Sequence, residues 1–208
     1  MNKTKIDWCD YTWNPVWGCR NSCPYCYARA LAHRWGKSFD PHWMPDNFNS
    51  AMPKKPARIF VNSMSDICFW EKEWIEKVLD RIEEYPQHKF LFLSKTAEIY
   101  HAYDPWPINC WLGATATTQM EITVALSLLD DLPAIHFLSI EPILEQIDPT
   151  TLRDYGLEWV ILGAETGNRR ERIVPPPEWI APFMDLSIPL FMKKNLPWPG
   201  PWRRECPA

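Results

Sequence analysis

Cys19, Cys23 and Cys26, three cysteines within eight residues, carry the strongest chemical signal in the chain. They read C-x3-C-x2-C within GCRNSCPYCYARALAHRWG. Thiolates this close in sequence can converge on one soft centre, and their softness selects zinc, copper(I) or an iron–sulfur cluster. A closed structural zinc site takes four ligands, whereas a site with an open position is built for catalysis. Three cysteines on a [4Fe–4S] cube leave one iron free, and the four-cysteine runs of simple ferredoxins leave none. Two other readings stand beside the open cluster. Each cysteine can be a small buried hydrophobe, or Cys9, His33 or His42 can complete a zinc site.

Further candidates sit where short apolar runs end. Ser63, Ser65 and Asp66 follow Arg58–Val61, Lys95 follows Lys89–Leu93, and Thr115 follows Cys110–Leu112. Ser139 and Glu141 follow Ile135–Leu138, Glu165 follows Trp159–Leu162, and Lys193 follows Pro189–Met192. Carboxylates in apolar surroundings are costly unless something polar satisfies them. A set of such groups facing one mouth reads as a ligand site. The plainer reading is internal pairing, for instance of Glu165 with Lys193. Arg169, Arg170 and Arg172, and Arg203 and Arg204 near Trp198 and Trp202, are the arginine clusters. Arginine with aromatics can bind phosphate or stack on a base. The favoured reading is the plainer one, a solvated loop and a tail that packs on tryptophan.

The elements that position these residues alternate. The six apolar runs are rich in β-branched and aromatic residues, which suits strands buried on both faces of a parallel sheet. Between them, Trp70, Trp74, Val78, Leu79 and Ile82 recur at helical spacing, with Pro86 beyond. Thr118 and Glu121 form a capping box ahead of Ile122, Ala125, Leu126 and Leu129. Ala28, Leu31, Ala32 and Trp35 share a face that ends at Gly36. The stretches after Ser94 and Glu141 are Pro-rich, so any helix there is truncated. Alternating strand and helix predicts an α/β fold with right-handed crossovers. A full eight-unit barrel typically takes about 250 residues, so 208 residues fit an incomplete one. One domain over 1–208 is expected, with a cysteine loop at 18–27 and a C-terminal tail from about 195.

Composition narrows the function classes. Lys and Arg number 22 against 26 Asp and Glu, and a net charge of −4 argues against a general nucleic-acid coater. A local basic patch stays open. The N-terminal MNKTKIDWCD lacks an apolar leader core, and no apolar run reaches membrane-spanning length. The expectation is a cytoplasmic protein with no membrane partner. In a reducing compartment, seven cysteines favour metal or catalysis over disulfides.

The cysteine spacing, with Tyr25 just before the last cysteine, is similar to the signature of radical S-adenosylmethionine enzymes. A second resemblance covers nearly the whole chain. IDWCDYTWNPVWGC, VNSMSD, LSK, WLGAT with Gln119, LSIEPIL and WVILGAETG look like successive motifs of the phage Gp37/Gp68 family, a radical-SAM-like group. Where that family more often has Gly-Gly-Glu-Ser-Gly, this chain has Gly163-Ala164-Glu165-Thr166-Gly167.

The resemblance implies an incomplete (β/α)6-type TIM barrel with a mainly parallel sheet. It also implies a [4Fe–4S] cluster on Cys19, Cys23 and Cys26 whose open iron chelates S-adenosylmethionine. Cleavage by one electron from a flavodoxin or ferredoxin then gives a 5′-deoxyadenosyl radical that abstracts hydrogen from substrate. Tyr25 is expected against the adenine, with Ser63, Ser65, Asp66, Lys95, Thr115 and Ser139 binding the cofactor. Glu141, Glu165 and Lys193 are the candidate catalytic residues. Nucleotide or nucleic acid is an open substrate class. The rival reading is a non-catalytic zinc-binding or interaction module on the same barrel.

Overall fold

The computed structural model describes residues 1–167 and 169–207. Each of the six apolar runs forms a strand: β5 (Arg58–Phe60), β6 (Lys89–Ser94), β7 (Cys110–Ala116), β8 (Ile135–Ile140), β9 (Trp159–Leu162) and β10 (Leu190–Met192). They pair in sequence order, all parallel. Two short N-terminal strands extend one edge. β2 (Tyr11–Thr12) pairs parallel to β5, and β1 (Asn2–Lys3) pairs antiparallel to β2. The result is a mixed α/β architecture on a curled, mostly parallel eight-stranded sheet. A separate antiparallel pair, β3 (Val16–Trp17) with β4 (His42–Trp43), brackets the cysteine loop.

Strand alternation divides the core in two. Ile59, Phe90, Phe92, Leu112, Leu138 and Val160 face a layer that includes helix residues Ile75, Val78, Ile122 and Leu126. The intervening Phe60, Leu91, Trp111, Phe137, Trp159, Ile161 and Phe191 pack with Trp8 as a second, mainly aromatic cluster in the concavity of the sheet. Gly113 is part of this fit. A Cβ there would lie 2.4 Å from the Phe137 ring, so only glycine leaves room for the phenyl group.

The helices are α1 (Tyr27–Arg34), α2 (Pro45–Phe48), α3 (Lys72–Glu83), α4 (Gln119–Leu129) and α5 (Pro177–Ile180). Trp70 lies before α3 rather than on it, and its indole donates to Ser65 Oγ at 3.0 Å. At α4, Thr118 Oγ1 accepts the Glu121 N–H as a capping box requires. The Glu121 carboxylate instead takes the Thr117 N–H and hydroxyl, at 2.6 and 2.7 Å. Gly36 follows the end of α1 with φ +62°, the left-handed turn that glycine makes easily. After Ser94 and Glu141 only 3-10 turns form, at Ala97–Tyr103 and Pro149–Leu152. The C-terminal tail lies along the β10 edge: Met192 N–H donates to Arg203 O and Glu205 N–H to Leu190 O. That covers a strand edge otherwise open to pairing with another chain. No helix among the described residues is long and apolar enough to cross a membrane.

Candidate functional site

Moving two residues along a strand stays on one face of the sheet. On the concave face this converts apolar columns into polar ends: Leu93 leads to Lys95, Gly113 to Thr115, Phe137 to Ser139 and Glu141, and Phe191 to Lys193. A cavity of about 770 Å³ opens over these ends. Thirteen of the residues singled out in the sequence line it: Cys19, Cys23, Tyr25, Cys26, Ser63, Ser65, Asp66, Lys95, Thr115, Ser139, Glu141, Glu165 and Lys193.

The cysteine loop is fixed to the strand ends by its backbone. Gly18 N–H donates to Met64 O and Cys19 N–H to Phe39 O, at 3.0 and 2.9 Å. From α1, the Arg29 guanidinium donates to the carbonyls of Cys19 and Asn21, both at 2.8 Å. Asp66 completes the anchorage. Its buried carboxylate accepts from Asn21 Nδ2 at 3.0 Å, Ser94 Oγ at 2.6 Å, Lys95 N–H at 3.0 Å and Cys68 N–H at 3.3 Å. These four bonds engage both carboxylate oxygens in anchoring the loop, at a position that also lines the cavity.

The three cysteines carry free thiols. Cys19 Sγ accepts the Asn21 N–H and Cys26 Sγ, capping α1, accepts the Arg29 N–H, each at 3.3 Å. Burial pushes the Cys19 thiol up to about 11, with the Asn21 amide pulling against it. Burial also raises Cys23, against the opposing pull of Lys95. Lys95 Nζ lies 5.5 Å from the Tyr25 ring centroid. Burial works against the Lys95 charge, but the Tyr25 hydroxyl and nearby negative groups outweigh it and leave the amine above its ordinary range. Burial pushes the Tyr25 phenol up.

The carboxylates do not pair as the sequence suggests. Lys193 bonds Glu141, not Glu165. Glu165 is held in a two-pronged pair by Arg169, whose Nε and Nη2 reach its two oxygens at 2.8 Å each. The Arg169 guanidinium holds the Glu165 carboxyl below its usual range, although burial opposes this. The reason is register: Met192 and Ile140 both pair with Leu162, so Lys193, Gly163 and Glu141 follow at one level, whereas Glu165 stands two residues beyond. Gly163 provides the space, because a Cβ there would lie 2.9 Å from the Glu141 carboxyl carbon.

The other proposed ligands lie elsewhere. Cys9, His33 and His42 are not among the residues lining the cavity. Burial pushes the Cys9 thiol up to about 12, and His42 Nδ1 meets Asp40 O. Among the described residues, no three His, Cys, Asp or Glu side chains are gathered closely enough to hold a single metal ion. Arg203 is bound to the carbonyls of Met184, Leu186 and Ile188 and to Glu205, so it locks the tail in place.

Several site residues carry little sequence signal. Asn14 accepts from Ser63 Oγ and Met64 N–H, and Asn62 bonds the Leu93 backbone in both directions. Both continue strand-like pairing beyond the strand ends. Trp8 lines the cavity, and its buried indole N–H has no partner among the described residues. Arg169 is visible in the sequence as part of an arginine cluster, but nothing there marks it as the partner of Glu165.

Over residues 3–188 the sequence matches the family described as protein of unknown function (DUF5131). The chain belongs to that family. No curated protein and no solved structure matches it. The matched range of the DUF5131 family includes the cysteine loop and every strand end except those after β10, so Lys193 lies just outside it.

Proposed function

We propose that the chain is an enzyme of the radical S-adenosylmethionine type, built on an incomplete (β/α)6 TIM-type barrel. The observation that carries this reading is the shared cavity: three free thiols of a C-x3-C-x2-C loop and the polar ends of six consecutive parallel strands line one space. The donor set fits a [4Fe–4S] cluster in its chemistry. Each cysteine would hold a different iron, so the three sulfurs need not converge on one point as a single zinc ion demands. Backbone N–H donors already point at two of the sulfurs, and such bonds tune iron–sulfur potentials.

With S-adenosylmethionine bound, such a cluster would supply one-electron reductive chemistry at the sulfonium for hydrogen abstraction from substrate. The rest is the work of the chain. Lys95 presents a retained positive charge to a carboxylate, and Tyr25 beside it offers a ring face to a base. Thr115 and Ser139, register partners on β7 and β8, offer hydroxyls to a ribose. The unpartnered Trp8 indole N–H supplies one further donor. Glu141 with Lys193, and Glu165 with Arg169, are charge pairs that orient substrate at the far side of the cavity. A flavodoxin- or ferredoxin-like donor would deliver the electron, in the cytoplasm.

The test is anaerobic reconstitution with iron and sulfide, followed by electron paramagnetic resonance of the reduced protein. The expected result is a cluster signal that shifts when S-adenosylmethionine is added. Binding of zinc alone, or a cluster indifferent to the cofactor, would overturn the reading in favour of a binding module.

A further inference from the structure

A second cavity, of about 960 Å³, adjoins the first. Thr4, Lys5, Ile6, Asp7 and Lys194 line both, so the two adjoin across this segment. The outer part is lined by Lys3, Lys5, Lys54, Lys55 and Lys194, against only Asp7 and Asp10 as acids. Both acids are already engaged. Asp7 pairs with Arg204 at 3.0 Å and Lys194 at 3.8 Å, and Asp10 accepts the Arg58 N–H at 2.8 Å. Lys3, Lys5, Lys54 and Lys55 are exposed and have no ion pair among the described residues. A chain of net charge −4 thus gathers four free cations along one groove that borders its candidate reaction site.

The main cavity carries a complementary feature. Trp17 and Trp35 stack, with ring centroids 6.1 Å apart and planes inclined by 28°. Lys37 Nζ lies 5.9 Å from each ring. Both tryptophans line the cavity, and Trp35 is 54% exposed. A large exposed aromatic face beside a cation suits a nucleobase, while a cationic groove suits phosphodiesters. Together they are what proteins use to hold single strands.

We infer that the groove binds a single-stranded nucleic acid, with its phosphodiester backbone along Lys3, Lys5, Lys54 and Lys55 and a base on the Trp35 platform. This names a substrate class for the cavity and rests on the reading of that cavity as the reaction site. The binding itself requires no cluster.

The test is fluorescence anisotropy with a labelled single-stranded oligonucleotide, repeated across salt concentrations. Four phosphate contacts on a single strand predict about a fifty-fold loss of affinity between about 50 and about 200 mM salt. The Lys54→Ala/Lys55→Ala double variant should cut that loss to roughly seven-fold. Trp35→Ala should weaken binding at least about five-fold at every salt concentration. Inorganic polyphosphate should compete, and its own affinity should ignore Trp35→Ala.

Tighter binding of the duplex, or indifference of the oligonucleotide to Trp35→Ala, would overturn the single-strand assignment. No salt-dependent binding, or a double variant with an unchanged slope, would overturn the groove. Running the same titration on Cys23→Ala separates the two proposals. Strand binding that survives there without a cluster leaves this inference standing even if the cluster reading fails. Cluster formation without strand binding removes this inference alone.

Discussion

The Glu141 carboxylate fills the space that a side chain at residue 163 would need: a Cβ on Gly163 would sit 2.9 Å from both Cγ and Cδ of Glu141. The glycine thus serves the charge pair between Glu141 and Lys193, linking the ends of β8, β9 and β10 at the cavity.

Gly163→Ala should therefore move a side chain rather than disturb the fold. Glu141 is the flexible partner and can swing away, so stability should change by no more than about 1 kcal/mol. Lys193, separated from its carboxylate, should label faster with an amine-acylating reagent, read by mass spectrometry. Gly113→Ala is the contrast. Its Cβ would meet the Phe137 ring inside a closed aromatic cluster, where overpacking costs about 1–3 kcal/mol or more. Equal destabilisation by the two substitutions, measured by urea unfolding, would refute this distinction.

Arg169 should matter most at neutral pH. It holds the Glu165 carboxyl below its ordinary range, burial opposing. The resulting stabilisation is complete above the unfolded carboxylate pKa of about 4.3 and is lost as pH falls through the lower folded value. In Arg169→Met, a buried carboxylate remains without its partner, at a cost of about 1–3 kcal/mol at pH 7. That variant gains by protonating Glu165, so its deficit should shrink as pH is lowered towards about 4. Urea unfolding at several pH values checks the sign, and a deficit that grows on acidification would contradict it.

Much of this architecture is readable from local pattern. Strands from Ile59 to Phe191 announce themselves because parallel strands buried on both faces must be continuously apolar. The polar strand ends follow from the same runs, since parallel strands all end at one rim. What is not legible depends on contacts between distant segments. Nothing local says that Lys193 meets Glu141, that Arg203 locks the tail against β10, or that Asn14 serves the strand end at Ser63. β1 and β2 are too short to show a period, and their place follows from the β5 edge they cover. Asp66 illustrates the limit. Its position at a strand end marks it as a ligand contact, yet the residues that consume its oxygens come from Asn21, Cys68 and the β6 end.

Asp66→Asn should be almost as damaging as Asp66→Ala, despite conserving shape. Both Asp66 oxygens accept, and Oδ2 receives Asn21 Nδ2 and the Lys95 N–H. An amide places an NH2 against one set of these donors, leaving buried polar groups unpaired at about 1–3 kcal/mol. Hydrogen exchange at the amides of Lys95 and Cys68 should accelerate in both variants. A wild-type exchange pattern in Asp66→Asn would show that the carboxylate's charge and acceptor geometry are dispensable.

Gly18→Ala tests whether the cysteine loop depends on its entry turn. Gly18 has φ +100°, and a Cβ there would lie 2.3 Å from Asp40 O and 2.7 Å from Phe39 O. Both obstacles are backbone, so neither can rotate aside. The left-handed strain alone is of order 1–3 kcal/mol, and the clash must also separate Gly18 from Phe39 and Asp40. That movement breaks the Cys19 N–H bond to Phe39 O and loosens the Gly18 bond to Met64 O. The loop should detach from the β5 end while the sheet persists, because the aromatic cluster under the cavity does not include Gly18. Protease cleavage within residues 18–27 should therefore increase at a temperature where far-ultraviolet circular dichroism is unchanged. Global unfolding before any loop cleavage would show instead that the loop is part of the cooperative core.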